Sequence, residues 1–209
     1  MIFQLNDDLI FPSVEYAEED GLLAIGGDLS PERLMLAYQQ GIFPWFEGEL
    51  PLWYSPDPRF VLLPSDLIVS SSMKQVFRSG KFRFTTNKAF PEVIEQCSKV
   101  KREGQRGTWI TEEMKAAYIQ LHALGYAYSA EAWCEGKLVG GLYGVMAGDV
   151  FCGESMFSQE SNASKFAFIE FTGHLLKKGT RIIDCQVYTQ HLESLGAKMI
   201  SRIEYLSFL

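Results

Sequence analysis

The chain has no apolar run approaching the roughly 20 residues that a membrane-spanning helix needs. Its first residues, Met1-Ile2-Phe3-Gln4-Leu5-Asn6-Asp7-Asp8, lack the basic start and apolar core of a signal peptide. Cysteine is scarce. The four present, Cys97, Cys134, Cys152 and Cys185, show no paired spacing suited to metal or redox work. They read as reduced thiols, so a cytoplasmic protein with no membrane partner is expected. Histidine is scarcer still: His122, His174 and His191 are scattered, and no metal site is expected. Nor is there a Gly-rich Lys-Ser/Thr phosphate loop or a spaced dinucleotide fingerprint. Gly26-Gly27-Asp28 therefore reads as a turn ahead of a helix that Ser30 and Pro31 begin.

What is present is an ordinary globular composition, 47% apolar and 22% charged over 209 residues. The expected division is a small N-terminal domain with aromatic loops over 1–60 and a larger domain over 61–209. The net charge of −7 conceals a marked asymmetry. Residues 1–60 carry two basic and eleven acidic side chains, whereas residues 74–106 carry nine basic and three acidic ones. An anion-binding face or a plain solvated basic face would each account for the second segment.

The most informative stretch is a pair of apolar runs, 138–145 and 150–157, joined through Gly148 and Asp149 as a hairpin. Gly140, Gly141, Gly144 and Gly153 interrupt it, which marks bulges or close approach of another backbone or a ligand. Glu154 stands there among Phe, Cys and Met, where an ionised carboxylate is costly unless it is paired or reached by solvent. Around the hairpin, the pattern predicts a strand over 81–86, a helix over 89–99 capped by Asn87, and a helix over 112–124 with Thr111 as its cap. A strand over 126–133 precedes the hairpin. A helix from Ser161 or Asn162, a strand over 181–188, a short helix over 189–195 and a strand over 198–207 follow.

That order is the order of an N-acetyltransferase-like (GNAT-type) fold: α+β, a mixed sheet with helices on both faces. In such a fold the fourth and fifth strands splay, which brings the Glu154 strand beside strand 181–188. Period-2 geometry places Asp184 and Gln186 on one face of that strand, either as a mutually satisfied pair or as ligand contacts. The junction Ser158-Gln159-Glu160-Ser161-Asn162-Ala163-Ser164-Lys165 lacks the Gly-rich pyrophosphate loop of coenzyme A-using relatives. Coenzyme A is thus a poor candidate, and no cofactor is expected.

Taken together the segments resemble the leucyl/phenylalanyl-tRNA–protein transferase family. The matching stretches are residues 21–29, Gly41-Ile42-Phe43-Pro44-Trp45-Phe46, Tyr54-Ser55-Pro56-Asp57-Pro58-Arg59, Thr108-Trp109-Ile110 and residues 138–145. They continue with Gly153-Glu154-Ser155-Met156-Phe157-Ser158, Asn162-Ala163-Ser164-Lys165, Ile183-Asp184-Cys185-Gln186 and Ser194-Leu195-Gly196-Ala197. Tyr128 departs from the family's usual histidine.

The resemblance implies transfer of Leu, Phe and less readily Met from aminoacyl-tRNA to proteins with N-terminal Arg or Lys, which marks them for degradation. It also implies a monomer without metal or coenzyme A. Asp184 and Gln186 would be catalytic, with Asp184 orienting or polarising Gln186 and Gln186 holding the attacking amine. Glu154 would contact the acceptor. Leu142, Phe151, Gly153, Phe168, Phe171 and Ile183 would form the donor side-chain pocket, and Tyr38, Trp45 and Trp109 would frame the terminal adenosine. Lys74, Arg78, Lys81, Arg83, Lys99, Lys101, Arg102, Lys177, Lys178 and Arg181 would meet the tRNA backbone. A non-catalytic adaptor for N-terminal Arg or Lys, and an acyltransferase with another activated donor, are the alternatives.

Overall fold

The computed structural model describes residues 2–46, 48–100 and 110–209. The first part of the chain forms a four-stranded sheet in the order β1-β2-β4-β3 from β1 (Phe3–Leu5), β2 (Leu22–Gly26), β3 (Phe43–Pro44) and β4 (Leu52–Tyr54). Between β2 and β3 runs α1 (Pro31–Gln39), where the Ser30 hydroxyl accepts from the Arg33 N–H and Pro31 sits in the first turn. Its buried stripe includes Leu34, Ala37 and Tyr38.

The second sheet has seven strands in the order β11-β5-β10-β9-β8-β7-β6. These are β5 (Arg59–Leu62), β6 (Arg83–Thr86), β7 (Ala127–Cys134), β8 (Lys137–Ala147), β9 (Val150–Ser158), β10 (Ile182–Gln186) and β11 (Lys198–Ile200). The helices are α2 (Ser71–Arg78), α3 (Phe90–Ser98), α4 (Glu112–Ala123), α5 (Ala163–Lys177), α6 (Gln190–Glu193) and α7 (Arg202–Leu206). Side chains of α1, α3 and α4 join one buried cluster, and those of α2 and α5 join another. The sheet is thus covered on both faces, as expected of an acetyltransferase-like α+β arrangement. The first cluster is continuous from Leu23 and Trp53 of the small sheet to Val150 and Ile182 of the large one. No helix among the described residues is long and apolar enough to cross a membrane.

The feature that positions the site is the end of β10. It pairs in parallel with β9 from Ile182↔Val150 to Asp184↔Cys152, and the two strands then separate. On its other side β10 pairs antiparallel with β5, with a register shift between Asp184 and Gln186. The expected splay is therefore present, and its origin is local. Gln186 holds φ +63°, and the Val187 N–H turns back to the Cys185 carbonyl at 2.7 Å. The expected strand over 181–188 stops at Gln186 for this reason.

Other expectations are corrected. The segment 198–207 is not one strand. Ser201 caps α7 by accepting from the Glu204 N–H, so β11 ends at Ile200. Asn87 does not cap α3; its Oδ1 accepts the Ser129 N–H at 2.9 Å. β5, between β10 and β11, escaped the pattern reading because all four of its residues are buried and show no alternation.

The hairpin glycines admit different neighbours. A Cβ at Gly140 would lie 2.6 Å from the Ala163 Cβ, so that glycine admits the start of α5. A Cβ at Gly144, beside the β8–β9 register shift, would collide with the Cys152 carbonyl oxygen and the Phe151 ring. Only Gly153 of the four borders the cleft. Gly144→Ala is expected to destabilise the fold by about 1–3 kcal/mol through overpacking. Chemical denaturation measures this, and an unchanged midpoint would show that the bulge relaxes freely.

Candidate active site

Where β9 and β10 part, a cleft of about 760 Å³ opens. One end is apolar. Leu142, Phe151, Gly153, Phe168 and Ile183, five of the six residues expected for a donor side-chain pocket, line it together. The sixth, Phe171, stands behind the wall, its ring edge-on to that of Phe151 at 5.0 Å. Phe43, Pro44 and Trp45 also line the cleft, and Trp45 is 38% exposed, beside Tyr54 at 5.7 Å between ring centroids. Pro44 and the short pairing of β3 with β4 hold this aromatic segment in place.

The other end is polar. The Glu154 Oε1 accepts from the Gln186 Nε2 and from the Tyr38 hydroxyl, each at 2.8 Å. Its Oε2 accepts from the Tyr118 hydroxyl at 3.0 Å, and the two tyrosine hydroxyls also contact each other. Tyr38 is thus not part of an adenosine frame. Its ring is 1% exposed in the core, and its hydroxyl serves Glu154. The sequence predicts the helix that carries Tyr118, and nothing in it marks the tyrosine for this contact. Burial raises both phenols well above their ordinary range, so both stay protonated.

Burial pushes the Glu154 carboxyl up to about 7, against the pull of hydrogen bonds from Tyr38, Tyr118 and Gln186 and with help from Asp184.

Asp184 also departs from expectation. It is fully buried and accepts no hydrogen bond from the Gln186 side-chain amide, whose Nε2 donates to Glu154. Its Oδ1 accepts from Arg59 Nε and from the Gln186 main-chain N–H, both at 2.9 Å. Its Oδ2 accepts from Arg59 Nη2 at 2.6 Å and from the Tyr205 hydroxyl at 2.9 Å. Burial would lower the Arg59 pKa, but the facing Asp184 carboxylate more than offsets this and raises it. The sequence does not mark Tyr205, because its pattern predicts a strand over 198–207 where α7 forms.

The basic residues are distributed over the surface. Lys74, Arg78, Lys81, Arg83, Lys99, Lys177, Lys178 and Arg181 are all exposed. Lys81 pairs with Glu160 at 2.6 Å and Lys99 with Glu95 at 2.9 Å. Lys74 and Lys177 border a second, shallower groove between α2 and α5. Lys101, Arg102 and Trp109 lie outside the described residues. Among the described residues no cluster of His, Cys, Asp or Glu has the make-up of a metal site.

A family profile described as leucyl/phenylalanyl-tRNA protein transferase matches residues 61–209, and one for its N-terminal domain matches residues 27–57. The chain belongs to the leucyl/phenylalanyl-tRNA–protein transferase family. It is 56% identical over 209 residues to the leucyl/phenylalanyl-tRNA–protein transferase of Flavobacterium johnsoniae, covering 100% of this chain and 99% of that one. It is 53% identical to the transferase of the same name from Syntrophobacter fumaroxidans, covering 100% and 89% respectively. Similarity to solved structures is remote. A conserved Staphylococcus epidermidis protein of unknown function aligns at TM-score 0.48 and 9% identity over 86% of this chain and 68% of that one. A GCN5-related N-acetyltransferase from Kribbella flavida aligns at TM-score 0.40 and 10% identity over 82% and 61%. As a member of this family the chain is an aminoacyltransferase, with aminoacyl-tRNA as donor and protein as acceptor.

The raised Glu154 carboxyl has a consequence for stability. Between its ordinary 4.5 and about 7, the folded protein keeps a proton that the unfolded chain has released. Stability therefore falls as pH rises through that window. Unfolding free energies of the wild type, taken relative to Glu154→Gln at each pH, are expected to decline from pH 4.5 to about 7. A flat difference would show that the Glu154 carboxyl titrates alike in the folded and unfolded protein.

Proposed function

We propose that this chain moves Leu, Phe and less readily Met from aminoacyl-tRNA to the α-amine of proteins beginning with Arg or Lys, marking them for degradation. The observation that carries this reading is one cleft with an apolar end and a carboxylate end. The donor is an activated ester, so the protein need form no covalent bond to it and needs no coenzyme. Positioning a neutral amine against the ester carbonyl, with a path for its proton, supplies the acceleration.

The apolar residues Leu142, Phe151, Gly153, Phe168 and Ile183 receive the donor side chain, with Phe171 backing them. Such a pocket separates side chains differing by one methylene by only about 1–3 kcal/mol, which suits a donor set of several bulky apolar residues. Trp45 and Trp109 frame the terminal adenosine, where stacking contributes roughly 1–3 kcal/mol per base. Glu154 faces the cationic acceptor, and the Gln186 amide holds its amine. An amide is too weak a base to take the proton itself. The exposed lysines and arginines from α2 to β6 and at the end of α5 meet tRNA phosphates, in a salt-sensitive contact. The protein acts as a cytoplasmic monomer.

The test offers Phe-tRNA or Leu-tRNA and an Arg-starting peptide to the purified protein and follows labelled peptide product. Product that requires both intact aminoacyl-tRNA and a basic N-terminal residue supports the reading. Peptide binding without transfer would make the chain an adaptor. Trp45→Ala is expected to raise the KM for aminoacyl-tRNA about tenfold or more, the value of one lost stacking contact, with an unchanged KM for peptide. Unaltered donor kinetics would remove Trp45 from the adenosine site.

A further inference from the structure

We propose that Arg59 and Tyr205 are positioning residues for Gln186, and that they act through Asp184's hold on the Gln186 main chain. The inference rests on the proposed role of Gln186 as the amide that holds the attacking amine.

A carboxylate has about four lone-pair positions. In Asp184 all four are taken: two by the Arg59 fork, one by the Tyr205 hydroxyl and one by the Gln186 N–H. None remains to polarise the Gln186 amide, whose Nε2 instead donates to Glu154. What Asp184 does hold is the backbone at a residue with φ +63°, a left-handed conformation that a side chain as long as glutamine rarely adopts. That conformation turns Gln186 away from the period-2 course of β10 and across to β9. The main-chain hydrogen bond to Asp184 supports it, and Arg59 and Tyr205 fix the carboxylate that accepts the bond.

Arg59 is itself closely held. Its guanidinium lies between the Phe43 and Tyr205 rings, 4.6 Å from each centroid, and its Nη1 donates to the Gly41 carbonyl at 3.2 Å. Gly41 and Phe43 begin the segment that carries Trp45. One buried cation thus sets the Trp45 wall of the cleft and, through Asp184, the Gln186 wall.

Tyr205→Phe keeps the ring over Arg59 and removes only the hydroxyl from Asp184. The expected result is a folded protein whose kcat is about tenfold lower, the effect of a loosened catalytic contact, with unchanged KM for aminoacyl-tRNA and peptide. The decisive measurement is a double-mutant cycle with Gln186→Ala. If Tyr205 acts through Gln186, Tyr205→Phe has no further effect once the glutamine is gone. Wild-type turnover in Tyr205→Phe, or the same fold-loss with and without Gln186, would overturn the proposal and leave the role of Gln186 intact. Wild-type turnover in Gln186→Ala would remove that role and the proposal together. Arg59→Lys, which keeps the charge and loses the two-pronged grip, enters the same cycle if Tyr205→Phe does not fold. Additive losses there would also overturn the proposal.

Discussion

The buried Arg59–Asp184 pair is the constraint on which the rest of the structure depends. Two charges withdrawn from water are costly, and their attraction compensates only when the remaining donors and acceptors are also satisfied. Here Arg59 reaches Gly41, Asp184 and two aromatic faces, while Asp184 takes four hydrogen bonds. Removing one partner from such a pair typically costs about 3–5 kcal/mol, because the other is left charged and alone. The pair lies where the small sheet, the centre of the large sheet and α7 converge. It is therefore a junction of the architecture as well as a feature of the cleft.

From this junction the cleft follows in sequence. β9 and β10 stay paired as far as Cys152 and Asp184, and then the left-handed Gln186 breaks the ladder. The next inward residue of β9 is Glu154, which the opened strands leave facing Gln186 and two tyrosines. The apolar walls come from residues of β8, β9, β10 and α5 that would otherwise be ordinary core. Polarity is thus concentrated at one end by strand geometry, without any metal-like cluster among the described residues.

Much of this was legible in the sequence because it rests on periodicity and caps. α1, with Ser30 and Pro31, and α4, with Thr111, begin where their signals place them. The faces of β10 fall as period 2 requires, with Ile183 and Cys185 in one cluster and Ile182 in the other. Where reading failed, tertiary contacts had overridden local pattern. β5 is buried on both faces and offers no alternation, and α7 is short and follows three residues of true strand. Tyr38, Tyr118, Arg59 and Tyr205 carry polar duties that no spacing announces, because their partners lie 21 to 125 residues away. The intervals 38 to 154 and 59 to 184 become contacts only once the fold is made.

Tyr38 gives the molecule a particular kind of indivisibility. It belongs to α1, packed with the small sheet, yet its hydroxyl completes the surroundings of a carboxylate on the large one. Whatever chemical character Glu154 has is therefore a joint property of both halves of the chain. An exchange of N-terminal segments between two relatives would carry over one of that carboxylate's three hydrogen-bond donors with the segment. The two halves are in this respect not modules but co-authors of one acid, and sequence drift in either is felt at the same oxygen atoms.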